Sequence, residues 1–174
     1  MTETTQRRGG KLRIRPAAKA DAPTVAVMIE ELNAHQREPT GQVTAEAVQR
    51  DGFGPHPEFG VLLAELDDAP VGYALYHPSW STEVGERGFY IYDLYVRESA
   101  RGHGVGRALM AELAALAQAE GRAFLWWSSK PWNREAQAFY RGLGAIEEDV
   151  KAHALFGDAF ATLARTAGRP SGQR

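Results

Sequence analysis

The chain has no cysteine among its 174 residues. That excludes disulfides, cysteine-ligated zinc and a thiol nucleophile, and it fits a reducing, cytoplasmic setting. It also lacks an excess of charge of one sign: 20 Lys and Arg stand against 22 Asp and Glu, for a formal net charge of −2. Nothing in that balance points to nucleic acid or to an anionic membrane surface as a partner. No apolar run approaches about 18 residues, so no membrane-spanning helix is expected. The opening "MTETTQRRGGK" has no apolar signal core. The five histidines show no metal-ligand spacing, and no metal is expected. No internal repeat is evident.

What is present is a chain of 44% hydrophobic residues, suited to one domain with a sizeable core. Residues 1–10 read as a flexible leader, 11–166 as a single domain and 167–174 as a flexible polar tail. The pattern alternates between strand and helix. "KLRIRPA" alternates apolar and polar residues up to Pro16 and predicts a first strand. Asp21 is a candidate N-cap, and Val25, Met28, Ile29 and Leu32 follow at helical spacing. Thr44 caps a short second helix, "AEAVQRD". "FGVLLAEL" and "PVGYALYHP" read as strands joined by the turn "DDAP", a hairpin. "GFYIYDLYV" is a third, strongly apolar strand. Val105, Leu109, Leu113 and Leu116 mark a helix ending at Gly121. "AFLWWSS" is a strand, "NREAQAFYRGLG" a helix, and "AIEED" with "HALFG" a weaker closing antiparallel pair. These elements predict a mixed α/β (α+β) domain, with a mostly antiparallel central sheet and helices on both faces.

Between the third strand and its helix lies "RGHGVGRAL". Gly102, Gly104 and Gly106 let backbone approach a ligand closely and aim several N–H groups one way. The helix start adds unpaired N–H donors and about half a positive charge. Arg101, His103 and Arg107 reinforce it, so the loop suits an anion such as a pyrophosphate. A Walker loop needs Gly-Lys-Ser/Thr, and Arg107-Ala108 stands there instead. The dinucleotide pattern fails too, because Arg107 replaces its last glycine. The bland alternative is a plain strand-to-helix turn.

"YDLYVRESARGHGVGRALM" resembles motif A of the GNAT superfamily of acetyl-CoA-dependent N-acetyltransferases, and "KPWNREAQAFYRGLGA" resembles its motif B. Within that superfamily the chain is similar to the diamine (spermidine/spermine or thialysine) acetyltransferases over about Leu12 to Phe156, with "RDGFGPHPEFGVLLAEL" and "VGYALYHPSWS" the more specific stretches. The resemblance implies acetyl-CoA as acyl donor, cradled by Arg101, Gly102, His103, Gly104, Val105, Gly106 and Arg107. It implies that backbone groups of Leu94, Tyr95 and Val96 pair with the pantetheine arm like an added strand, and that Asn133, Arg134, Glu135 and Ala136 lie close to the cosubstrate. It also implies a homodimer, for which "HALFGDAFATLA" offers an apolar C-terminal segment.

By the same resemblance, Tyr140 is the general acid for the departing thiolate; otherwise Phe139 and Tyr140 are core aromatics. Asn133 and Tyr140 are seven positions apart, about two helical turns. The oxyanion needs a donor, which a strand N–H released by a bulge supplies. The general base is open. The similar enzymes carry a Glu-Asp pair where this chain has Tyr92-Asp93, and Tyr92 is no carboxylate. Because successive strand residues face opposite ways, Asp93 does not simply inherit the role. Asp93 either holds an ammonium or relays a proton, or is a buried structural carboxylate. Glu31, beside Glu30, matches an acidic substrate contact at the end of the first helix, or is a solvated helix end. Trp126, Trp127 and Ser128 match the segment lining the amine site, or pack in the core. None of Glu30, Glu31 and Asp93 has an evident basic partner at helical or cross-strand spacing. The expected reaction is direct transfer of acetyl to a primary amine of a small cationic metabolite. Other acceptors (an aminoglycoside, an amino acid, a protein lysine) and a catalytically weak acyl-CoA-binding protein are the alternatives.

Overall fold

A short alternating strand, an apolar run and two long strands, with one tight turn, build most of the sheet. In a computed structural model, which describes residues 10–167, β1 (Leu12–Pro16) pairs antiparallel with β2 (Gly60–Leu66), and β2 pairs with β3 (Ala69–Ser81). The β2–β3 turn is Asp67-Asp68, with φ of 52° and 63°. Positive φ at both central residues is the mirror-image turn that matches strand twist, and Asp tolerates it. β3 runs antiparallel to β4 (Glu86–Val96), and β4 runs parallel to β5 (Phe124–Trp127). The sheet order is β1-β2-β3-β4-β5. The expected mostly antiparallel sheet is therefore present, with one strand–helix–strand crossover through α3 (Val105–Ala119).

Each face of the sheet receives its own helices. Val61 and Leu63 of β2 and Tyr73 and Leu75 of β3 pack under α1 (Ala22–Gln36) and α2 (Ala45–Phe53), in one core with Val25, Met28, Ile29 and Leu32. The alternate residues Leu62, Ala64 and Ala74 are buried on the opposite face. α3 contacts all five strands, with Val105, Leu109, Leu113 and Ala117 buried at helical spacing. Gly121, at φ 65°, follows its C-cap. Thr44 caps α2 as expected, its hydroxyl accepting from the Ala47 N–H at 3.2 Å. Asp21 stands at the N-cap of α1, but its carboxylate caps nothing there. It accepts from Arg15 (2.7 and 3.0 Å) and from the Ala18 N–H.

The described residues form two compact units that divide between Asn133 and Arg134. The second contains α4 (Arg134–Arg141) and α5 (Gly157–Ala164). The expected closing strand pair is not there: residues 145–156 are irregular, with Ile146 and Phe156 exposed, and the chain after them is helical. β5 is also shorter than residues 123–129. Most of the leader and most of the tail named from sequence lie outside the described residues.

Candidate active site

β4 and β5 stay paired only through Gly88↔Phe124, Phe89↔Leu125, Tyr90↔Trp126 and Ile91↔Trp127. Beyond Ile91 β4 continues to Val96, while β5 has ended. The strands fork there. On its other side β4 remains bonded to β3, and the Arg97 N–H donates to the Val71 carbonyl at 2.8 Å. Antiparallel pairs alternate between bonded and non-bonded positions. Arg97 therefore fixes the phase: Tyr95 and Asp93 exchange bonds with β3, and the N–H and C=O groups of Leu94 and Val96 turn to the side that β5 vacates. An extended chain has a strand edge to pair with there. Val96 additionally accepts from Arg101 Nε at 3.2 Å, which draws that side chain back over the strand end.

At the same point β4 carries one residue too many. Leu75 opposes Asp93 and Tyr76 opposes Ile91, so Tyr92 is an inserted, bulged residue. This overturns the expectation that Tyr92 and Asp93 face opposite ways. Asp93 lies opposite Leu75 on the α1 face. The Tyr92 ring stacks on His77 at 4.7 Å and 27°, and His77 continues the Tyr73–Leu75 row of that face. The bulge resets the alternation, and the two neighbours share a face.

Asp93 is half-buried and accepts a hydrogen bond from the Tyr73 hydroxyl at 2.9 Å. Burial pushes its carboxyl above the usual range, and the Tyr73 bond partly offsets that. Tyr73 itself is fully buried; burial, then the Asp93 charge, push its phenol far up. Glu31 is not an open carboxylate. Arg97 Nε and Nη2 donate to its two oxygens, each at 2.9 Å, and Arg97 Nη1 donates to the Pro70 carbonyl at 2.9 Å. The bond that Arg97 donates to Glu31 outweighs burial and pushes its guanidinium up. Tyr95, its ring 6.2 Å from that of Tyr73, has its phenol raised by burial first and then by the Glu31 charge. Glu30 accepts from the N–H groups of Gly41 (2.5 Å) and Val43 (2.7 Å), which hold its carboxyl below the ordinary value. All three acids thus have donors, but only Glu31 has a basic one, Arg97, which stands 66 residues away and not at helical or cross-strand spacing. An open groove of about 600 Å³ along α1 and α2 has Glu30 and Glu31 in its wall and no residue of the glycine loop, β4 or β5.

The glycine loop links β4 to α3. Gly102 and Gly104 both have φ of 77°, with nothing within 4 Å of where a Cβ would stand. Gly104 is the N-cap of α3, and the first helical bond runs from the Ala108 N–H to its carbonyl. The N–H groups of Val105 and Gly106 precede that bond and point out of the helix end. Val105 is buried and Arg107 exposed, while His103 Nδ1 lies 3.0 Å from the Arg101 carbonyl. The loop has the open, donor-rich shape that a pyrophosphate fits.

Of the remaining expected residues, Trp126 is on the α1 face beside Tyr90, at 5.3 Å between rings, while half-buried Trp127 alternates to the other face and Ser128 is exposed past the end of β5. The Asn133 N–H donates to the Lys130 carbonyl at 2.9 Å. Lys130 is paired with Glu38, and Arg37 lies over the Trp132 ring at 5.6 Å, so the segment after β5 is held to the end of α1. Within the second unit, Arg134, Glu135 and Ala136 form the first turn of α4, and half-buried Tyr140 is in its last turn beside Phe139. Sequence reasoning missed Tyr73, His77, Tyr90 and Arg97. Arg97 and Glu31 are 66 residues apart, so no local spacing pairs them.

The acetyltransferase (GNAT) family model matches residues 26–145. The chain is 34% identical over 141 residues to a thialysine N-epsilon-acetyltransferase of Bos taurus, covering 76% of this chain and 82% of that protein. It is 29% identical to a spermidine/spermine N(1)-acetyltransferase-like protein of Homo sapiens, over 77% of this chain and 20% of that one. Among solved structures, an integron cassette protein from the mobile metagenome of V. cholerae superposes with a TM-score of 0.75 at 25% identity, covering 88% of this chain and 98% of the other. GNAT enzymes as a family draw acetyl from acetyl-CoA, and no helix among the described residues is long and apolar enough to cross a membrane. With the family model spanning most of the chain and the forked sheet beneath it, the chain belongs to the GNAT acetyltransferases and is an acetyl-transferring enzyme.

Proposed function

We propose that the protein transfers acetyl from acetyl-CoA to the primary amine of a small cationic metabolite of the diamine, polyamine or thialysine class, by direct attack in a ternary complex. The observation that carries this reading is the fork: β4 parts from β5 after Ile91, and its exposed Leu94 and Val96 backbone leads straight into the glycine loop. Residues Arg101 to Arg107 are assigned to the pyrophosphate, the free backbone edge of Leu94 and Val96 to the pantetheine arm, with Tyr95 between them bonded to β3 instead, and Asn133 to Ala136 to its flank. Acetyl-CoA supplies the activated acyl group. The lack of cysteine supports direct attack over a thiol-bound acyl intermediate. The names of the relatives support a small amine as acceptor.

The chain's own groups then divide the proton work. An alkylammonium has a pKa of about 10 and must lose a proton to become a nucleophile. Asp93, with its carboxyl raised by burial and steadied by Tyr73, is assigned to receive that proton through water. The bulge at Tyr92 frees strand N–H groups for the negative charge that develops on the carbonyl oxygen. Tyr140 is assigned to protonate the leaving thiolate. The exposed Phe156, Phe160 and Leu163 around α5 support a homodimer, and the lack of cysteine fits a reducing, cytoplasmic setting. Sedimentation at micromolar concentration tests the first point, and a monomer there removes it.

The decisive assay measures thiol release from acetyl-CoA with putrescine, spermidine, thialysine and lysine against aminoglycosides and a lysine-containing peptide. A cationic metabolite is expected to give the highest kcat/KM. The reading fails if no amine is acetylated, or if the peptide or an aminoglycoside is the best acceptor.

A further inference from the structure

Four aromatic rings meet on the α1 face beside the fork. Tyr92 stacks on His77 and meets Tyr90 edge-on at 5.1 Å and 71°. Tyr90 in turn lies against Trp126 at 5.3 Å and 34°. His77 comes from β3, the tyrosines from β4 and Trp126 from β5, and Tyr90↔Trp126 is the pair next to the last one before the strands part. The wall is open to solvent: Tyr92 is 60% exposed and Trp126 45%. Because His77 covers one face of Tyr92, the other faces outward.

The carboxylates named for cation binding are meanwhile committed. Asp93 accepts from Tyr73, Glu31 is gripped by Arg97, and Glu30 holds the Gly41 and Val43 N–H groups. An aromatic face attracts a cation through its quadrupole, with no need of N–H donors from the guest. We propose that the second cationic group of the acceptor is held on the ring faces of Tyr92 and Trp126, and not by a carboxylate. The acceptor class follows: amines with one distal cation a few carbons from the reacting nitrogen, that cation tolerated fully methylated. This rests on the reading that acetyl is transferred at the fork.

The test compares three acceptors of one length: 1,3-diaminopropane, 3-aminopropyl-trimethylammonium and its uncharged isostere 4,4-dimethylpentan-1-amine. The quaternary amine is expected to have a KM within about threefold of the diamine, and the isostere one about tenfold higher, the range of a partly desolvated cation–π contact. Tyr92→Leu and, separately, Trp126→Leu should raise KM for both cationic acceptors by about tenfold, with kcat and the KM for acetyl-CoA little changed. Tyr92→Phe, which keeps the ring, should recover most of that loss. A quaternary amine far poorer than the diamine overturns the proposal, because it signals recognition through N–H donors. So does an isostere that matches the quaternary amine, or a Tyr92→Phe as damaging as Tyr92→Leu. If no amine is acetylated, the underlying reaction is wrong. Calorimetric binding of the quaternary amine against its isostere, with coenzyme A bound, then still decides the wall: preference for the cation upholds it and equal binding refutes it.

Discussion

Replacing Tyr73 by Phe tests whether Asp93 is held as a half-buried carboxylate by one phenol. The substitution removes the 2.9 Å donor and leaves the ring in a site with no solvent exposure, so packing is nearly unchanged. A hydrogen bond to a charged group contributes about 1.5–3 kcal/mol, and leaving its buried acceptor unmet costs a similar amount. At pH 7 the variant should therefore unfold about 2 kcal/mol more easily. The pH dependence has a definite sign. The Asp93 carboxyl is already raised in the folded chain, so its ionisation lowers stability as pH climbs from the unfolded value, about 3.9, through the folded one. Tyr73→Phe raises the folded value further and widens that window. Below both values, at about pH 3, the carboxyl is neutral in both states, and the gap between variant and wild type should shrink to roughly half or less. Urea unfolding of both proteins at pH 7 and about pH 3 measures the gap. Asp93→Asn, neutral and still able to accept from Tyr73, should be at least as stable as wild type at pH 7. A Tyr73→Phe cost under about 0.5 kcal/mol at pH 7, or the same cost at both pH values, refutes the reasoning.

Gly104→Ala should cost the fold about 1–2 kcal/mol through its φ of 77° alone, since nothing crowds the new Cβ, and weaken acetyl-CoA binding besides. Unchanged cosubstrate affinity by calorimetry, for that variant or for Gly106→Val, removes the loop from the site. Tyr140→Phe should lower kcat about 100-fold with cosubstrate affinity intact, and single-turnover rates equal to wild type return it to packing. Glu31→Gln breaks a two-pronged pair whose side chains are about a third exposed, and should cost only about 0.5–1 kcal/mol. Because Arg97 occupies Glu31, KM for a diamine and a monoamine should change alike. A selective rise for the diamine would show that substrate competes with Arg97.

The sheet, its order of elements and the glycine loop were legible because each follows from local rules. Alternation in "KLRIRPA", the apolar run of "GVLLAEL", the Asp67-Asp68 turn and the apolar spacing of Val105, Leu109 and Leu113 all act within a few residues. The assignment to a family also came from contiguous motifs. What stayed hidden depends on contacts between distant segments. No local pattern joins Glu31 to Arg97, Tyr73 to Asp93, or Glu30 to the backbone at Gly41. The aromatic wall draws on three strands, and its common face depends on an inserted residue that periodicity passes over. The stretches "AIEED" and "HALFG" offered weak strand patterns, but residues 145–156 are irregular and a helix follows at Gly157.

That inserted residue separates two histories within one strand. Downstream of it, Asp93, Tyr95 and Arg97 are tied to Tyr73, Glu31 and Pro70, and a change in any of them disturbs the support under α1. Upstream, half-buried Tyr90 and exposed Tyr92 lie against each other and against the rings of His77 and Trp126. Selection can therefore redraw the acceptor side by substituting at Tyr92 without reopening the buried network one position away. Deleting the inserted residue would reach further: Ile91 and Asp93 would then alternate as in a regular strand, so Asp93, Tyr95 and Arg97 would keep their faces while the bulge and its ring were lost together.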